Sequence, residues 1–189
     1  MSFDKVKAMR NAERFLAQGK LRAAISEYKR VVEFDKIDFN TLNMLGDLYV
    51  KAAEPDEAVN CFTQVAEHYA KQGFAQKAIA IYNKISRLKP ESMEVSAKLA
   101  HLYQMKGSFA EAKTHYTTLA EQYSKTGKKA EALNAWKQIA NLDPNNTDIY
   151  LKIADACWQD QQKEEAANAY IEAGNRLTSK SQFESAITA

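Results

Sequence analysis

The stretch that decides the fold lies at residues 66–90 and reads AEHYAKQGFAQKAIAIYNKISRLKP. Apolar residues recur at intervals of three and four on both sides of Gly73, which is typical of two amphipathic helices joined by a glycine turn. Pro90 ends the second helix, because proline lacks the backbone N–H that a continuing helix needs. The stretch therefore predicts a helical hairpin with defined ends.

A second copy of this hairpin occurs at residues 120–144, which read AEQYSKTGKKAEALNAWKQIANLDP. Gly127 and Pro144 stand in this copy where Gly73 and Pro90 stand in the first, at an offset of fifty-four positions. An internal repeat of this length is typical of arrays in which each repeat buries its apolar face against its neighbours. We therefore predict a helical repeat protein with this 54-residue period, which we call one period from here on.

The composition agrees with helices and excludes several classes of function. The chain has only 6 glycines and 3 prolines, and its 26 basic and 24 acidic residues give a net charge of +2. This balance argues against a nucleic-acid partner, which needs a clustered basic surface. We find no signal peptide and no apolar run of membrane-spanning length. Cys61 and Cys157 lie far apart without a paired motif, so we expect reduced thiols in a cytoplasmic protein without membrane insertion.

Several residues of these hairpins carry a resemblance to a known family. Leu45, Gly46 and Tyr49 precede one turn, and Ala112 and Tyr116 follow another. This pattern resembles the tetratricopeptide repeat family, and its style is similar to bacterial cytoplasmic members. The resemblance implies an all-α fold: a right-handed α–α superhelix, or tetratricopeptide-like solenoid, of about eleven antiparallel helices.

The spacing of the repeats departs from the family's 34-residue unit. We expect a single array over residues 1–189, with repeats that start near positions 5, 39, 59, 93, 113, 147 and 167. Steps of thirty-four and of twenty positions alternate between these starts, so helices 55–72 and 109–126 would each serve two overlapping repeats. The alternative is that neighbouring helices merely have similar apolar faces. A last helix starting near Gln182 would stop at Ala189, so we expect a part of a longer chain.

No catalytic or metal-binding motif is present in the sequence. The three histidines, His68, His101 and His115, are not spaced four residues from one another or from a cysteine. The sequence also lacks the glycine-rich phosphate loops and the nucleophile motifs of common enzymes. We therefore expect no enzymatic activity, no cofactor and no metal.

The resemblance implies a binding surface on the concave side, formed by the first helix of each repeat. Carried over to this chain, the candidate partner-binding residues are Asn43, Asp47, Lys98, His101, Lys152, Asp155 and Trp158. Two alternatives stay open at this point. Lys98 and Lys152 are equally well explained as solvated side chains, and Trp158 either anchors a partner or covers a neighbouring helix.

These observations favour a non-catalytic scaffold or adaptor that binds a peptide or a partner helix on the repeat surface. The alternative is a regulatory or targeting region of a larger enzyme or signalling protein whose effector domain lies beyond residue 189. The first helix also carries an extra apolar set that would either allow self-association or reflect a poorly capped array end; its members are Phe3, Val6, Met9 and Leu16.

Overall fold

The computed structural model describes residues 3–179, and this part of the chain consists of α-helices without strands. Ten helices are connected by short turns. Their bounds are Lys5–Ala17 (α1), Leu21–Phe34 (α2), Phe39–Lys51 (α3), Pro55–Lys71 (α4), Ala75–Leu88 (α5), Met93–Met105 (α6), Phe109–Lys125 (α7), Lys129–Leu142 (α8), Thr147–Gln159 (α9) and Lys163–Ser179 (α10). The all-α prediction is confirmed. The eleventh helix, expected from Gln182, lies outside the described residues.

The helix bounds repeat with the predicted period. Helices α3, α6 and α9 start at positions 39, 93 and 147, and each has 13 residues. Helices α4, α7 and α10 have 17 residues each, whereas α2, α5 and α8 have 14. The 54-residue three-helix repeat is therefore confirmed. We call α3–α5 the first module, α6–α8 the second module, and α9 with α10 the third module.

A residue in the left-handed region of backbone space forms the turn inside each hairpin. Four of these residues are glycines, which adopt a positive φ at little cost. Ala53 (φ 57°) and Gln161 (φ 61°) occupy the same place in two turns although each carries a Cβ. The six positions alternate between a long and a short step, as the predicted repeat starts do: Gly19, Ala53, Gly73, Gly107, Gly127 and Gln161. The turn geometry therefore follows the module and not the residue type.

Small and aromatic residues alternate in the packing between helices. Alanines next to the turns are buried throughout, as the need for close helix approach predicts; they are Ala24, Ala58, Ala78, Ala112, Ala132 and Ala166. The aromatic side chains four residues later are buried at Tyr28, Phe62, Tyr82 and Trp136. Tyr116 and Tyr170 differ from this pattern because they are only half-buried and use their hydroxyls as hydrogen-bond donors.

The long middle helix of a module packs on both of its neighbours. In the first module, α4 packs against α3 and against α5. Its Phe62 ring lies against the backbone of Gly46, where a Cβ would come within 2.5 Å of the ring. Glycine is therefore favoured at this position of α3, because a Cβ would force the Phe62 ring to move.

The helices form two compact units, of which the first ends at Val95 and the second begins at Ser96. At the start of unit 1, the Phe3 ring lies 4.9 Å from the Phe34 ring, with the Arg30 guanidinium 5.4 Å from the Phe3 centroid. Val6, in the first turn of α1, is 68% exposed. Self-association through this edge stays a prediction. Within residues 3–179, the structure contains no helix whose length and apolar character suffice for crossing a membrane.

Candidate functional site

An internal ion pair bridges the groove of the first module. Lys84 on α5 donates to both carboxylate oxygens of Asp47 on α3, at 2.7 and 2.9 Å. It also donates to Asn43 Oδ1 at 3.1 Å, and its ammonium lies 4.8 Å from the centroid of the Phe62 ring. Asn43 and Asp47, two of the predicted binding residues, are therefore occupied by a side chain of their own module.

The second module replaces every polar member of this bridge. One period further on, Ala97 stands for Asn43, His101 for Asp47, and Gln138 for Lys84. Tyr116 takes the place of the Phe62 ring. Without a cation on α8 and a carboxylate on α6 at these positions, the bridge cannot form.

The same positions line an open cavity in unit 2. The cavity has a volume of about 610 Å³ and lies between α6, α7 and α8. Its buried wall is apolar and includes Leu119 and Ala135. Its remaining lining is mostly polar or aromatic: Ala97, His101, Gln104, Met105, Tyr116, Tyr123, Glu131, Asn134 and Gln138. We call this cavity the α6–α8 groove.

Tyr116 organises one side of the α6–α8 groove. Its hydroxyl donates to Gln104 Oε1 at 2.9 Å, which joins α7 to α6. Burial raises the pKa of Tyr116, so the phenol stays protonated and remains a donor at neutral pH. On the same pair of helices, the Tyr103 and His115 rings stack at 5.6 Å. These contacts hold the tyrosine at the groove while part of its ring faces the cavity.

The other predicted binding residues do not gather at one place. Lys98 is exposed and is not part of the groove lining. The Lys152 ammonium lies 4.5 Å from the centroid of the Trp136 ring, and Asp155 accepts a hydrogen bond from the Tyr170 hydroxyl. Trp158 is 60% exposed. Among the predicted residues, His101 is the one that lines the α6–α8 groove.

Sequence reasoning missed the residues that α7 and α8 contribute to the groove. Tyr123, Glu131, Asn134 and Gln138 all lie on these two helices, whereas the family resemblance directed attention to the first helix of each repeat. A signal was present in the sequence. Comparing positions one period apart shows a lysine at position 84 and a glutamine at position 138, so the second module lacks the cation of the bridge.

The described residues contain little that suggests chemistry. Within residues 3–179, no group of three or more His, Cys, Asp or Glu side chains is arranged to hold a metal ion. Burial raises the pKa of the Cys61 thiol to about 11, and it also raises that of Cys157. Both thiols are therefore protonated at neutral pH, whereas a cysteine nucleophile needs its thiolate.

The chain is similar to several known proteins. It is 27% identical over 159 residues to DnaJ homolog subfamily C member 3 of Gallus gallus, which covers 79% of this chain and 31% of that protein. The chain thus spans about a third of that relative's length. Among solved structures, it is similar to MamA from Desulfovibrio magneticus RS-1 (17% identity, TM-score 0.35, 95% of this chain and 98% of that chain). BtubC from P. vanneervenii gives 16% identity and a TM-score of 0.48, over 97% and 85% of the two chains.

Family models match the chain in two places, and both are described as Tetratricopeptide repeat. One match covers residues 39–71, which contain α3 and α4. The other covers residues 117–181, and the two together account for just over half of the chain. With the periodic pattern of helices and the turns in left-handed conformation, these matches give the family. The chain belongs to the tetratricopeptide repeat family.

Proposed function

We propose that this chain is a non-catalytic protein-interaction scaffold that holds an extended peptide segment of a partner in the α6–α8 groove. One observation carries the proposal. The positions that Lys84 bridges in the first module are open in the second, where they line a cavity of about 610 Å³. A preformed groove of this size binds with little loss of conformational entropy, because the helices do not have to rearrange.

The chemistry of the groove suits a peptide backbone with mixed side chains. Gln104, Asn134 and Gln138 provide amide groups, each of which both donates and accepts hydrogen bonds. An extended peptide presents the same alternation of donors and acceptors along its main chain. The Tyr123 ring and the apolar wall give places for apolar side chains, while His101 and Glu131 supply polar contacts at opposite helices.

The test uses a variant that closes the groove with the protein's own bridge. Ala97→Asn, His101→Asp and Gln138→Lys together place the Asn43, Asp47 and Lys84 side chains at the equivalent positions. A random peptide library is selected on the full wild-type chain, and the affinity of each enriched peptide is measured for both proteins. We expect the triple variant to lose affinity by at least about tenfold, because the new lysine fills the cavity.

A matched control separates groove closure from a general loss of structure. Lys98→Asn with Lys106→Gln changes exposed charges of the same helical region without touching the groove lining. This control is expected to bind the selected peptides like the wild type. The proposal would be wrong if the selected peptides bound the closed variant as tightly as the wild type while circular dichroism showed both proteins to be folded.

A second candidate function is a regulatory or targeting region within a larger enzyme or signalling protein. It is favoured by the alignment with only 31% of the length of the DnaJ homolog. Sequencing the transcript decides between the two. A reading frame that continues past Ala189 into a catalytic domain supports this candidate, whereas a stop codon directly after Ala189 removes it.

A further inference from the structure

A second cavity lies in unit 2, between α8, α9 and α10. Its volume is about 490 Å³, and it is distinct from the α6–α8 groove. The buried floor is small and apolar, with Ala140, Ile153 and Cys157. The exposed rim is polar, and its members are Lys137, Asn141, Glu165 and Asn168. We call this cavity the Cys157 slot.

The first module fills the corresponding space with a tyrosine ring. Tyr49 lies two periods before Cys157, at the same place in its module, and is 7% exposed. Burial is the main cause of the raised pKa of Tyr49, and the side chains of Cys61, Glu57 and Glu33 raise it further. The corresponding residues two periods later are Ala169, Glu165 and Asn141, and all of them line the Cys157 slot.

The second module also places a tyrosine there. Tyr103 lies one period before Cys157, and its ring stacks on His115 with 5.6 Å between the centroids. His115 corresponds to Ala169, which lines the slot. Two modules thus place an aromatic ring where the third has only a thiol. By position in the repeat, the slot corresponds to the places of Tyr49 and Tyr103, and it has an alanine at position 169 where the second module has His115.

We propose that the Cys157 slot binds a tyrosine side chain presented by a partner protein. The position argues for a planar ring, because the Tyr49 ring is buried at the corresponding place two periods earlier. Burial of an aromatic side chain of this type removes roughly 150–250 Å² of surface from water, and tyrosine is enriched among the anchors of protein interfaces.

The rim favours a phenol over an unsubstituted ring. The Glu165 carboxylate is already held at the slot by Lys137, at 3.3 Å, and accepts weakly from the Cys157 thiol at 3.8 Å. A phenol hydroxyl that reaches the rim from the slot would donate to this carboxylate, which lies beside the Cys157 thiol. A hydroxyl donor to a charged acceptor is a strong hydrogen bond, which a phenylalanine ring cannot make.

The first experiment measures binding of p-cresol, the side chain of tyrosine, to the full chain by ligand-observed NMR and thermal unfolding. At ten times its Kd, p-cresol is expected to raise the melting temperature by about 3–5 °C. Toluene should bind less tightly, since it lacks the hydroxyl. Cys157→Ala is expected to keep p-cresol binding, because it leaves the slot open, whereas Cys157→Tyr should weaken it by at least tenfold.

A further variant covers the case in which Cys157→Tyr does not fold. Ala169→His introduces the ring that His115 contributes in the second module, and it should narrow the slot and weaken p-cresol at least fivefold. The proposal is overturned if p-cresol does not bind to the wild type. It is also overturned if p-cresol binds equally well to the wild type and to the folded Cys157→Tyr or Ala169→His variant.

The last arm tests whether the ligand comes from a protein. Displayed peptides with tyrosine, phenylalanine or leucine at one fixed position are selected on wild type and on Cys157→Ala. Enrichment of tyrosine on both proteins, and its loss on the filled variant, supports a partner's tyrosine. Equal recovery of the three peptide sets contradicts it, even when p-cresol binds. The Cys157 slot and the α6–α8 groove share none of their lining residues. The Ala97→Asn, His101→Asp, Gln138→Lys variant, which closes the groove, should therefore give the same peptide selection at the slot.

Discussion

The groove of the first module and the groove of the second are built on equivalent helices, but they carry different side chains at the bridge positions. Lys84 spans the first between Asp47 and Asn43, whereas Gln138 leaves the second open. The backbone frame is the same in length and in turn geometry, because the helix bounds of the second module repeat those of the first one period later. The comparison teaches that, in this array, single side chains and not the fold decide whether a groove is bridged by the Lys84 type of ion pair.

The aromatic residue beneath each groove reflects the same difference. Phe62 is 1% exposed and packs on Gly46, whereas Tyr116 is half-buried and Ala100 occupies the position of that glycine. A glycine allows the ring to sink against α3, and a Cβ keeps it further out. The Tyr116 ring therefore stays partly exposed beside the cavity, where its hydroxyl donates to Gln104.

The largest expected effect is a difference in the free energy of unfolding between variants that remove the Phe62 ring or the Tyr116 ring. Phe62→Ala should lower the free energy of unfolding by about 3–5 kcal/mol, because it leaves a cavity in a closed core. Tyr116→Ala should cost only about 1–2 kcal/mol, since its ring is already partly exposed. Urea unfolding followed by circular dichroism measures both. Equal losses for the two variants would show that the rings are packed alike, contrary to the structure.

The next largest change in stability is expected at Gly46, which lies against the Phe62 ring. Gly46→Ala would place a Cβ 2.5 Å from the ring, so we expect a loss of about 1–3 kcal/mol through overpacking. The matched change in the second module, Ala100→Gly, should cost about 1 kcal/mol from helix propensity alone. The same unfolding measurement applies. A Gly46→Ala variant as stable as the wild type would mean that the ring is not fixed against α3.

Backbone strain in the turns predicts two smaller changes in stability, which have opposite signs in the first and second modules. Ala53 holds a φ of 57° where the second module has Gly107 at 79°. Ala53→Gly is therefore expected to stabilise the protein by about 0.5–1 kcal/mol, and Gly107→Ala to destabilise it by about 1 kcal/mol. Nothing lies within 4 Å of a Cβ at Gly107, so the second effect reports backbone strain without a steric clash. Thermal unfolding of both variants should show shifts of opposite sign.

The smallest stability effect concerns the bridge itself. Lys84→Gln introduces the residue of the second module and removes an ion pair whose side chains are 34% and 47% exposed. Ion pairs with this exposure contribute about 0.2–1 kcal/mol, so stability should hardly change. Lys98→Gln, at an exposed lysine outside the groove, is the control. A loss of several kcal/mol at position 84 would mean that the bridge is a core element and not a cover over the groove.

Most of the fold follows from the sequence, because the features that define it are local. Glycine turns, Pro90 and Pro144, and the alternation of alanine with aromatic residues specify helices and their period without knowledge of long-range contacts. The left-handed backbone conformations of Ala53 and Gln161 were also predictable from the sequence, since both residues stand at the glycine position of the repeat.

The candidate site was less predictable because it depends on contacts between helices far apart in the chain. The Lys84 bridge joins residues 37 and 41 positions apart, and neither the lysine nor its partners has an unusual local sequence. The family resemblance selected Asn43 and Asp47 as binding residues, but it does not indicate that a neighbouring helix occupies them. Comparing equivalent positions among the modules would have found the difference.

The measurement that tests the central claim most directly is a crystal structure of the Asn43→Ala, Asp47→His, Lys84→Gln variant. These changes give the first module the residues of the second at the bridge positions. The account predicts an open cavity between α3, α4 and α5, similar in place and size to the α6–α8 groove of about 610 Å³. A variant without such a cavity would contradict the account, because an open groove would then not depend on the residues at the bridge positions.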